Sequence, residues 1–380
     1  MSGHIAMARP GDKAESDASP RIWVLIGEKL GDNAQVLSIA EALGLPSEHK
    51  TIVMRDQFRF GKPHVKPSLY HIDADRSAAL EPPWPDLVIT IGRRLSMVAL
   101  WIKEQSGGRT RTVLVGRPRR MLDRFDLVVT AAHYRLPARD NVLRLDLPLM
   151  RVDEQAVKTA ARDWAPRFEA LKRPIVAMLV GGPTKPVRFD AAVAADLMRR
   201  ATAAAAEMDG TLYITTSRRT PPAIVDVFEA ALPDGAVLYR WGPEADENPY
   251  RGLLGLADCF IVTGDSISMM VEVARLGRPL AIFQQPPPVR ALQRWVRSAG
   301  RHVHRDSRRV QARGPLHAAG DALYRLGLIG YSRDLTALHE LMFARGLAVP
   351  LGQPFPPAGR RAEDELPLVV ERVRALLNAR

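Results

Sequence analysis

The chain has 380 residues, of which 46% are hydrophobic and 25% are charged, and this length favours two or three globular domains over one. Its single cysteine, Cys259, excludes an intrachain disulfide and is typical of a reducing compartment. No run approaches the roughly 20 apolar residues that span a membrane, and residues 1–20 lack the apolar centre of a signal peptide. We therefore expect a cytoplasmic protein that begins with a disordered tail at residues 1–20.

Strand and helix signals alternate through the first part of the chain. Helical patterns occupy residues 33–43 and 95–104, and short apolar runs predict buried parallel strands at 22–26, 87–91, 112–115 and 127–130. A glycine directly follows three of these strands, at Gly27, Gly92 and Gly116. Because repetition of strand, glycine and helix is typical of a doubly wound sheet, residues 21–150 are predicted to form a Rossmann-like domain.

The alternation restarts after a stretch from residue 141 to 171, in which we place a linker at residues 151–171. Five apolar runs then predict the strands of a second Rossmann-like domain, assigned to residues 172–316, at 175–180, 211–215, 237–240, 259–262 and 279–283. The intervening helical patterns lie at 190–208, 222–231 and 266–276. The remaining tail, residues 317–380, is less regular and ends in a predicted helix at 363–377.

Ligands of open α/β sheets bind beyond the carboxyl ends of the strands, so the loops at those ends are the candidate sites. The segment from Gly264 to Met270 lies between a predicted strand and a predicted helix, where backbone N–H groups and the helix dipole favour phosphate. The alternative is an ordinary helix start capped by Asp265 or Ser266. Glu272, further along the same helix, can accept two ribose hydroxyls or can be a solvated surface glutamate.

Two more loops in the second half join small residues to a cation, a combination suited to a diphosphate. They are Gly181-Gly182-Pro183-Thr184-Lys185 and Thr215-Thr216-Ser217-Arg218-Arg219. Neither matches the P-loop pattern, and the chain lacks a Gly-x-Gly-x-x-Gly dinucleotide motif at its first strand. The missing motif argues against a dinucleotide-dependent dehydrogenase or epimerase, which the Rossmann-like pattern alone would allow.

The first strand-to-helix loop, Gly27 to Gln35, is the candidate site of the N-terminal half. Its paired glycines allow a ligand to approach the backbone, and Glu28, Lys29 and Asp32 can supply acid–base or charge chemistry. A tight turn capped by Asp32 or Asn33 explains the same residues equally well. The histidines have no carboxylate or cysteine pattern typical of a metal site, so we expect no metal.

These loops, together with Asn248-Pro249-Tyr250, resemble the mitochondrial-fission Elm family between about residues 21 and 283. The bacterial members of that family are commonly labelled glycosyltransferases, and the family in turn resembles glycosyltransferase-B enzymes. The resemblance implies two Rossmann-like domains that face a cleft, with a C-terminal helix that crosses back to the N-terminal domain. The first loop departs from the enzyme that glycosylates the lipid-linked peptidoglycan precursor, which has a histidine there, and this leaves the catalytic base open between Glu28, Lys29 and Asp32.

The resemblance also assigns a role to each loop of the second half. It places a nucleotide sugar there, with Glu272 on the ribose and the loop from Gly264 on the diphosphate. The predicted nucleotide-sugar site comprises Gly181, Gly182, Lys185, Ser217, Arg218, Gly264, Ser266, Ile267, Ser268, Met269 and Glu272. No cofactor is expected beyond the nucleotide-diphosphate sugar, which is the donor substrate.

Two classes of function follow from this resemblance. The first is a metal-independent glycosyltransferase that acts on a lipid-linked acceptor or a membrane glycolipid. The second is an adaptor recruited to membranes, which fits the association of plant members with mitochondrial division and would have lost catalysis. A nucleotide-sugar epimerase is a further alternative.

The net charge of +12 is concentrated in residues 284–313, which hold eight arginines and one acid. Four of the arginines recur every three or four residues around an aromatic residue, so that a helix would place them on neighbouring turns: Arg290, Arg294, Trp295, Arg297 and Arg301. This pattern predicts a peripheral contact with an anionic membrane surface. Packing of the same helix on the second domain is the alternative. Interleaved aromatic residues are too few to favour nucleic acid.

Overall fold

The computed structural model describes residues 19–58, 66–118, 120–134, 136–184, 187–242, 247–287 and 333–379. Within them the chain forms two six-stranded β-sheets with interleaved helices. Every strand pairing between named strands in both sheets is parallel. The predicted α/β fold with two Rossmann-like sheets is therefore confirmed, whereas the predicted domain boundaries stay predictions.

The first sheet has the spatial order β2-β1-β3-β4-β5-β6. Its strands are β1 (Ile22–Ile26), β2 (Ser47–Thr51), β3 (Leu87–Ile91), β4 (Arg111–Val115), β5 (Leu127–Ala131) and β6 (Val142–Leu145). Helix α1 (Leu30–Leu43) follows β1, and helix α2 (Gly92–Gln105) follows β3.

Helices cover both faces of this sheet, which explains why its central strands are continuously apolar. Val24 of β1 joins the core cluster of α1, which includes Ile39, whereas its neighbour Leu25 joins the cluster of α2, which includes Val98. All four of these side chains are fully buried. Alternate residues of a strand point to opposite faces, so each face of the sheet has its own core.

The second sheet has the spatial order β12-β11-β10-β7-β8-β9. Its strands are β7 (Ile175–Leu179), β8 (Thr211–Thr215), β9 (Val237–Tyr239), β10 (Cys259–Thr263), β11 (Leu280–Phe283) and β12 (Val349–Pro350). The helices of this half are α3 (Glu154–Phe168), α4 (Ala191–Glu207), α5 (Pro222–Ala230), α6 (Tyr250–Leu256), α7 (Ile267–Arg275) and α8 (Leu335–Ala344). Cys259 is buried in this sheet, and burial raises the pKa of its thiol to about 12, as expected for an inert cysteine.

The segment interpreted as a linker is largely the helix α3. The Asp153 carboxylate caps it by accepting a hydrogen bond from the amide of Ala156 at 2.9 Å. The helix packs closely on α6, since a Cβ on Gly252 would lie 2.8 Å from the ring of Trp164. Residues 154–168 therefore belong to the packing of the second sheet.

The last helix, α9 (Leu366–Asn378), returns to the first sheet, as the resemblance predicts. Its buried residues Val369 and Val373 join the core cluster that contains Ile39 of α1. Just before the helix, the Glu365 carboxylate accepts hydrogen bonds from the amides of Asp146 and Leu147, at 3.0 and 3.1 Å. Contacts between residues more than 200 positions apart thus hold the last helix against the first sheet.

Each sheet has a topological switch point, where the order of its strands reverses. In the first sheet, β1 and β3 are neighbours, and the chain leaves them in opposite directions, to β2 and to β4. In the second sheet, the corresponding neighbours are β7 and β10. In open α/β sheets, ligands bind in the crevice outside the carboxyl ends of such strand pairs, so the fold itself defines two candidate sites.

One short segment brings the carboxyl ends of the two sheets together. The amide of Asp334 donates to the carbonyl of His133, beyond β5, at 2.7 Å. His339 of α8 contacts the carbonyl of Gly264, beyond β10, through Nε2 at 2.8 Å. Five residues can span at most about 18 Å. The two sheet edges therefore face a common cleft.

Candidate functional site

The switch point of the second sheet is built from the loops that follow β7 and β10. The amide of Gly181 donates to Thr263 Oγ1 at 2.8 Å, and the amide of Gly182 donates to Asp265 Oδ2 at 3.0 Å. The structure therefore brings the predicted double-glycine loop and the predicted Gly264 loop together. Both belong to one site.

Asp265 is the buried anchor of this site. Its side chain has no exposed surface, and it forms an ion pair with Arg219 at 3.1 Å and accepts a hydrogen bond from Gln285 Nε2 at 2.9 Å. A Cβ on Gly181 would overlap the Asp265 carboxylate, and one on Gly182 would overlap the backbone of Arg219. Close packing thus requires both glycines, and Asp265 orders the loops without capping α7.

The two arginines of the third loop have different environments. Arg219 is tied to Asp265 and also donates to Thr184 Oγ1 at 2.7 Å. Arg218 is exposed and has no ion pair or hydrogen bond with the part of the chain that the structure describes. Ser217 donates to the carbonyl of Gly181 at 3.2 Å, which fixes the loop beside the double glycine. Arg218 is therefore the arginine available to an anionic ligand.

Helix α7 begins at this site without a side-chain cap. Ser266 is the N-cap residue and is buried, and its hydroxyl makes no capping hydrogen bond. The amides of Ile267, Ser268 and Met269 donate to no acceptor among the described residues. The capping alternative for Asp265 and Ser266 is wrong, because neither side chain satisfies these donors. The first turn of α7 presents unpaired N–H groups at the carboxyl edge of the sheet, as an anion site requires.

Glu272 lies one turn further along α7 and is held by Tyr250. The Tyr250 hydroxyl donates a hydrogen bond to Glu272 Oε2. Burial raises the pKa of Glu272, while the hydrogen bond from Tyr250 and the charge of Arg251 act in the opposite direction. Glu272 is half-buried, so it is not the fully solvated surface glutamate of the alternative interpretation. One carboxylate oxygen is positioned by Tyr250, and the other is left to accept hydroxyl groups.

Several predicted residues lie outside the described residues. Lys185, predicted to meet the diphosphate, is one of them. The predicted membrane segment is another, since residues 288–332 include Arg290, Arg294, Trp295, Arg297 and Arg301. These assignments stay predictions.

The switch point of the first sheet holds a cavity of about 460 Å³. Its lining residues come from the segments after β1, β2, β3, β4 and β5, including the first turn of α2, and from the segment before α8: Gly27, Glu28, Lys29, Asp32, Asn33, Ile52, Met54, Ile91, Gly92, Arg93, Arg94, Leu95, Arg117, Tyr134 and Arg333. The three predicted acid–base residues Glu28, Lys29 and Asp32 all line it. The structure therefore places them in a cavity at the predicted edge of the sheet.

Asn33 shapes the loop that carries these three residues. Its side-chain oxygen accepts from the amide of Gly27 at 2.9 Å, and its side-chain nitrogen donates to the carbonyl of Gly27 at 2.6 Å. The N-cap of α1 is Lys29, with no side-chain capping bond, but the two bonds of Asn33 cap the turn before the helix, as the turn interpretation predicts for this residue. Lys29 Nζ lies 4.0 Å from Asp32 Oδ2, and both side chains are well exposed. Asn33 thus fixes the backbone of the loop that carries Glu28, Lys29 and Asp32.

Sequence reasoning missed the cationic and aromatic residues of this cavity. Arg93 and Arg94 follow Gly92, and Arg117 follows Gly116. An arginine directly after a strand-end glycine is therefore the sequence signal that could have identified these three cations. Tyr134 and Arg333 gave no such signal, because a β-bridge between residues 199 positions apart joins them.

Two kinds of feature are absent from the part of the chain that the structure describes. No group of three or more histidine, cysteine, aspartate or glutamate residues there could hold a metal ion. No helix there is long and apolar enough to cross a membrane.

Comparison with known sequences identifies relatives. The family model described as mitochondrial fission ELM1 matches residues 30–308. The mitochondrial fission protein ELM1 of Arabidopsis thaliana is 29% identical over 220 residues, which cover 52% of this chain and 51% of that protein. The chain thus spans about half the length of that relative. The uncharacterized protein RP120 of Rickettsia prowazekii (strain Madrid E) is 24% identical over 298 residues, covering 70% of this chain and 83% of that protein.

Comparison with solved structures identifies distant likenesses. The UDP-GlcNAc 2-epimerase from Methanocaldococcus jannaschii has a TM-score of 0.49 at 8% identity, with 93% of this chain and 99% of that chain covered. The Neisseria meningitidis UDP-GlcNAc 2-epimerase bound to UDP-GlcNAc has a TM-score of 0.45 at 11% identity, with 94% and 100% covered. MurG from Acinetobacter baumannii has a TM-score of 0.41 at 14% identity, with 94% and 100% covered.

Proposed function

We propose that this chain, which belongs to the mitochondrial fission ELM1 family, is a metal-independent glycosyltransferase. A nucleotide-diphosphate sugar binds at the switch point of the second sheet. The acceptor, a lipid-linked or membrane glycolipid, binds at the cavity of the first sheet. The cleft between the two sheet edges is where the sugar is transferred.

The observation that carries the proposal is the position of Glu272. Its carboxylate is hydrogen-bonded to Tyr250 and lies one turn from backbone amides of α7 that have no acceptor among the described residues. A half-buried carboxylate held by the Tyr250 hydroxyl has one oxygen left for vicinal hydroxyls, such as those of ribose. One turn away, the amides of Ile267, Ser268 and Met269 have no acceptor among the described residues. Ribose and diphosphate groups are joined in that order in a nucleotide, and the helix offers complementary groups in that order.

Catalysis of transfer requires stabilisation of the departing nucleoside diphosphate. Arg218, exposed and without an ion pair in the described chain, is positioned by its loop to neutralise this charge, together with Lys185 and the N-terminal dipole of α7. In this scheme fixed cations and N–H groups replace the metal ion that other transferases use. Glu28 and Asp32 of the opposite cavity are the candidate general bases, and Lys29 supplies positive charge beside them.

The experiment is a calorimetric titration with uridine, adenosine and guanosine diphosphates. We expect one of the three to bind, and Glu272→Ala to weaken it about 30-fold, because a charged acceptor loses two hydrogen bonds worth about 1 kcal/mol each. Glu207→Ala is the matched control, since Glu207 is an exposed helical glutamate at the end of α4. Glu272→Gln keeps an acceptor for Tyr250 and separates loss of charge from loss of packing. Equal affinity in all variants would refute the ribose role.

The relationship to a plant protein named for mitochondrial fission favours an adaptor as the second candidate. An adaptor needs the fold and a partner surface, and it needs no nucleotide. Failure of every nucleoside diphosphate to bind would therefore reject the transferase and favour the adaptor. Conversion of the donor sugar in the absence of any acceptor would instead identify an epimerase.

A further inference from the structure

The cavity of the first sheet is strongly cationic. Its lining includes five cations, Lys29, Arg93, Arg94, Arg117 and Arg333, and two carboxylates, Glu28 and Asp32. Arg93 is exposed in the first turn of α2, and its guanidinium forms no ion pair or hydrogen bond with the described chain. Clustered like charges repel one another, so an excess of arginine around one cavity favours an anion inside it.

The backbone of the cavity permits close approach by a ligand. Gly92, which begins α2, has a φ of +75°, and Gly116 has a φ of +92°. A Cβ on Gly116 would lie 3.7 Å from the Tyr134 ring and 4.0 Å from the amide nitrogen of Gly92. The two glycines are thus neighbours at the ends of β3 and β4, beside Arg93 and Arg117. Side chains are rare in this backbone conformation, which leaves the N-terminus of α2 uncovered.

Two guanidinium groups meet at Tyr134 on the wall of the cavity. The guanidinium carbons of Arg117 and Arg333 lie 5.3 and 5.7 Å from the centre of its ring, and Arg333 Nη2 donates to the Tyr134 hydroxyl at 3.3 Å. Arg333 Nε is buried and has no hydrogen-bond partner among the described residues. Two arginines from distant parts of the chain thus meet at one wall of the cavity.

We infer that this cavity binds a phosphate or diphosphate group. Arginine forks match phosphate oxygens in a bidentate geometry, and cations from four separate segments can surround a group with several oxygens. This inference rests on the proposed function for one step: the anion is the phosphate that links the acceptor sugar to its lipid. The binding site itself does not depend on that step.

The test is calorimetric titration of the full chain with inorganic pyrophosphate, in the presence of a saturating concentration of the nucleoside diphosphate that binds the donor site. We expect binding to the wild-type protein and a loss of about tenfold or more in Arg93→Ser and in Arg117→Ser. Arg109→Ser is the matched control, because Arg109 is an exposed arginine beyond the opposite end of α2. Pyrophosphate affinity that is absent, or that is equal in the wild-type and Arg93→Ser proteins, would overturn the inference.

Two further measurements separate this inference from the proposed function. Uridine diphosphate affinity should not change in Arg93→Ser, because the donor site lies on the other sheet. If no nucleotide binds but pyrophosphate does, and Arg93→Ser weakens it, the anion site stands and the donor site fails. Farnesyl diphosphate, titrated in parallel, should bind more tightly than pyrophosphate if the anion belongs to a lipid-linked acceptor, and equally if the cavity takes a free anion.

Discussion

His133 should make the stability of the first sheet sensitive to acid. It follows β5, is 4% exposed, and its Nδ1 has no hydrogen-bond partner in the part of the chain that the structure describes. Burial, followed by the positive charges of Arg333 and Arg117, lowers the pKa of His133 to about 3. The folded protein therefore keeps this histidine neutral, whereas the unfolded chain protonates it near its ordinary pKa of about 6.5.

The sign and size of the effect follow from this difference. Below about pH 6.5 the unfolded state binds a proton that the folded state does not bind until about pH 3, so stability falls as the pH is lowered through this window. At pH 5 the two pKa values correspond to a loss of about 2 kcal/mol for this one group. Above pH 6.5 the group contributes no such loss.

Substitution of His133 by glutamine removes the titration. We expect the wild-type protein to lose about 2 kcal/mol more than His133→Gln between pH 7.5 and pH 5. Urea denaturation followed by tryptophan fluorescence measures this loss, because Trp23, Trp84 and Trp101 form an edge-to-face cluster in the first half of the molecule. His49→Gln, at an exposed position on β2, is the control. Equal acid losses in the wild-type protein and His133→Gln would refute the reasoning.

Three further predictions address the donor site and the membrane segment. Arg218→Ser should weaken binding of uridine diphosphate about tenfold and leave uridine unchanged in the same titration; equal losses for both ligands would contradict a contact with the diphosphate. Tyr250→Phe removes the donor that lowers the pKa of Glu272. As the pH is lowered, the variant should therefore lose nucleotide affinity at a higher pH than the wild-type protein does; an unchanged pH profile of affinity would argue against positioning by Tyr250. Replacement of the four arginines 290, 294, 297 and 301 by serine should abolish flotation with anionic liposomes at low salt; flotation that persists would reject a membrane contact through them.

The central strands were predictable because they are buried on both faces. The run Leu87–Ile91 is apolar at four of five positions, and such a run can be satisfied in the middle of a parallel sheet. The edge strands β2 and β12 lack such a run and were not predictable, whereas the edge strand β9 (Val237–Tyr239) lies within a predicted strand. β2 has the sequence SEHKT and is largely exposed, and β12 has only two residues. Their pairing partners define them, and no local pattern does.

The candidate sites were predictable in outline, because small residues, glycine in most cases, follow the strands at each loop. The roles of individual residues within them were not. Neighbouring arginines such as Arg218 and Arg219 look alike in sequence, and only the position of Asp265 determines that Arg219 is the structural one. Arg333 and His339 lie between β11 and β12 of the second sheet, and no local pattern in the chain predicts their long-range contacts.

The contacts at the donor site bear on the choice between transferase and adaptor. The network around Asp265 explains the two glycines, Arg219 and Gln285 by packing alone, so an adaptor that had lost its ligand would retain them. Packing does not explain the exposed Arg218, whose loss would leave the fold intact and which an adaptor does not need. The unpaired amides at the start of α7 are common to helix starts and do not distinguish the two functions. The decisive comparison is therefore between Arg218→Ser and Arg219→Ser: a transferase loses nucleotide affinity in the first and stability in the second, whereas an adaptor loses only stability, and only in the second.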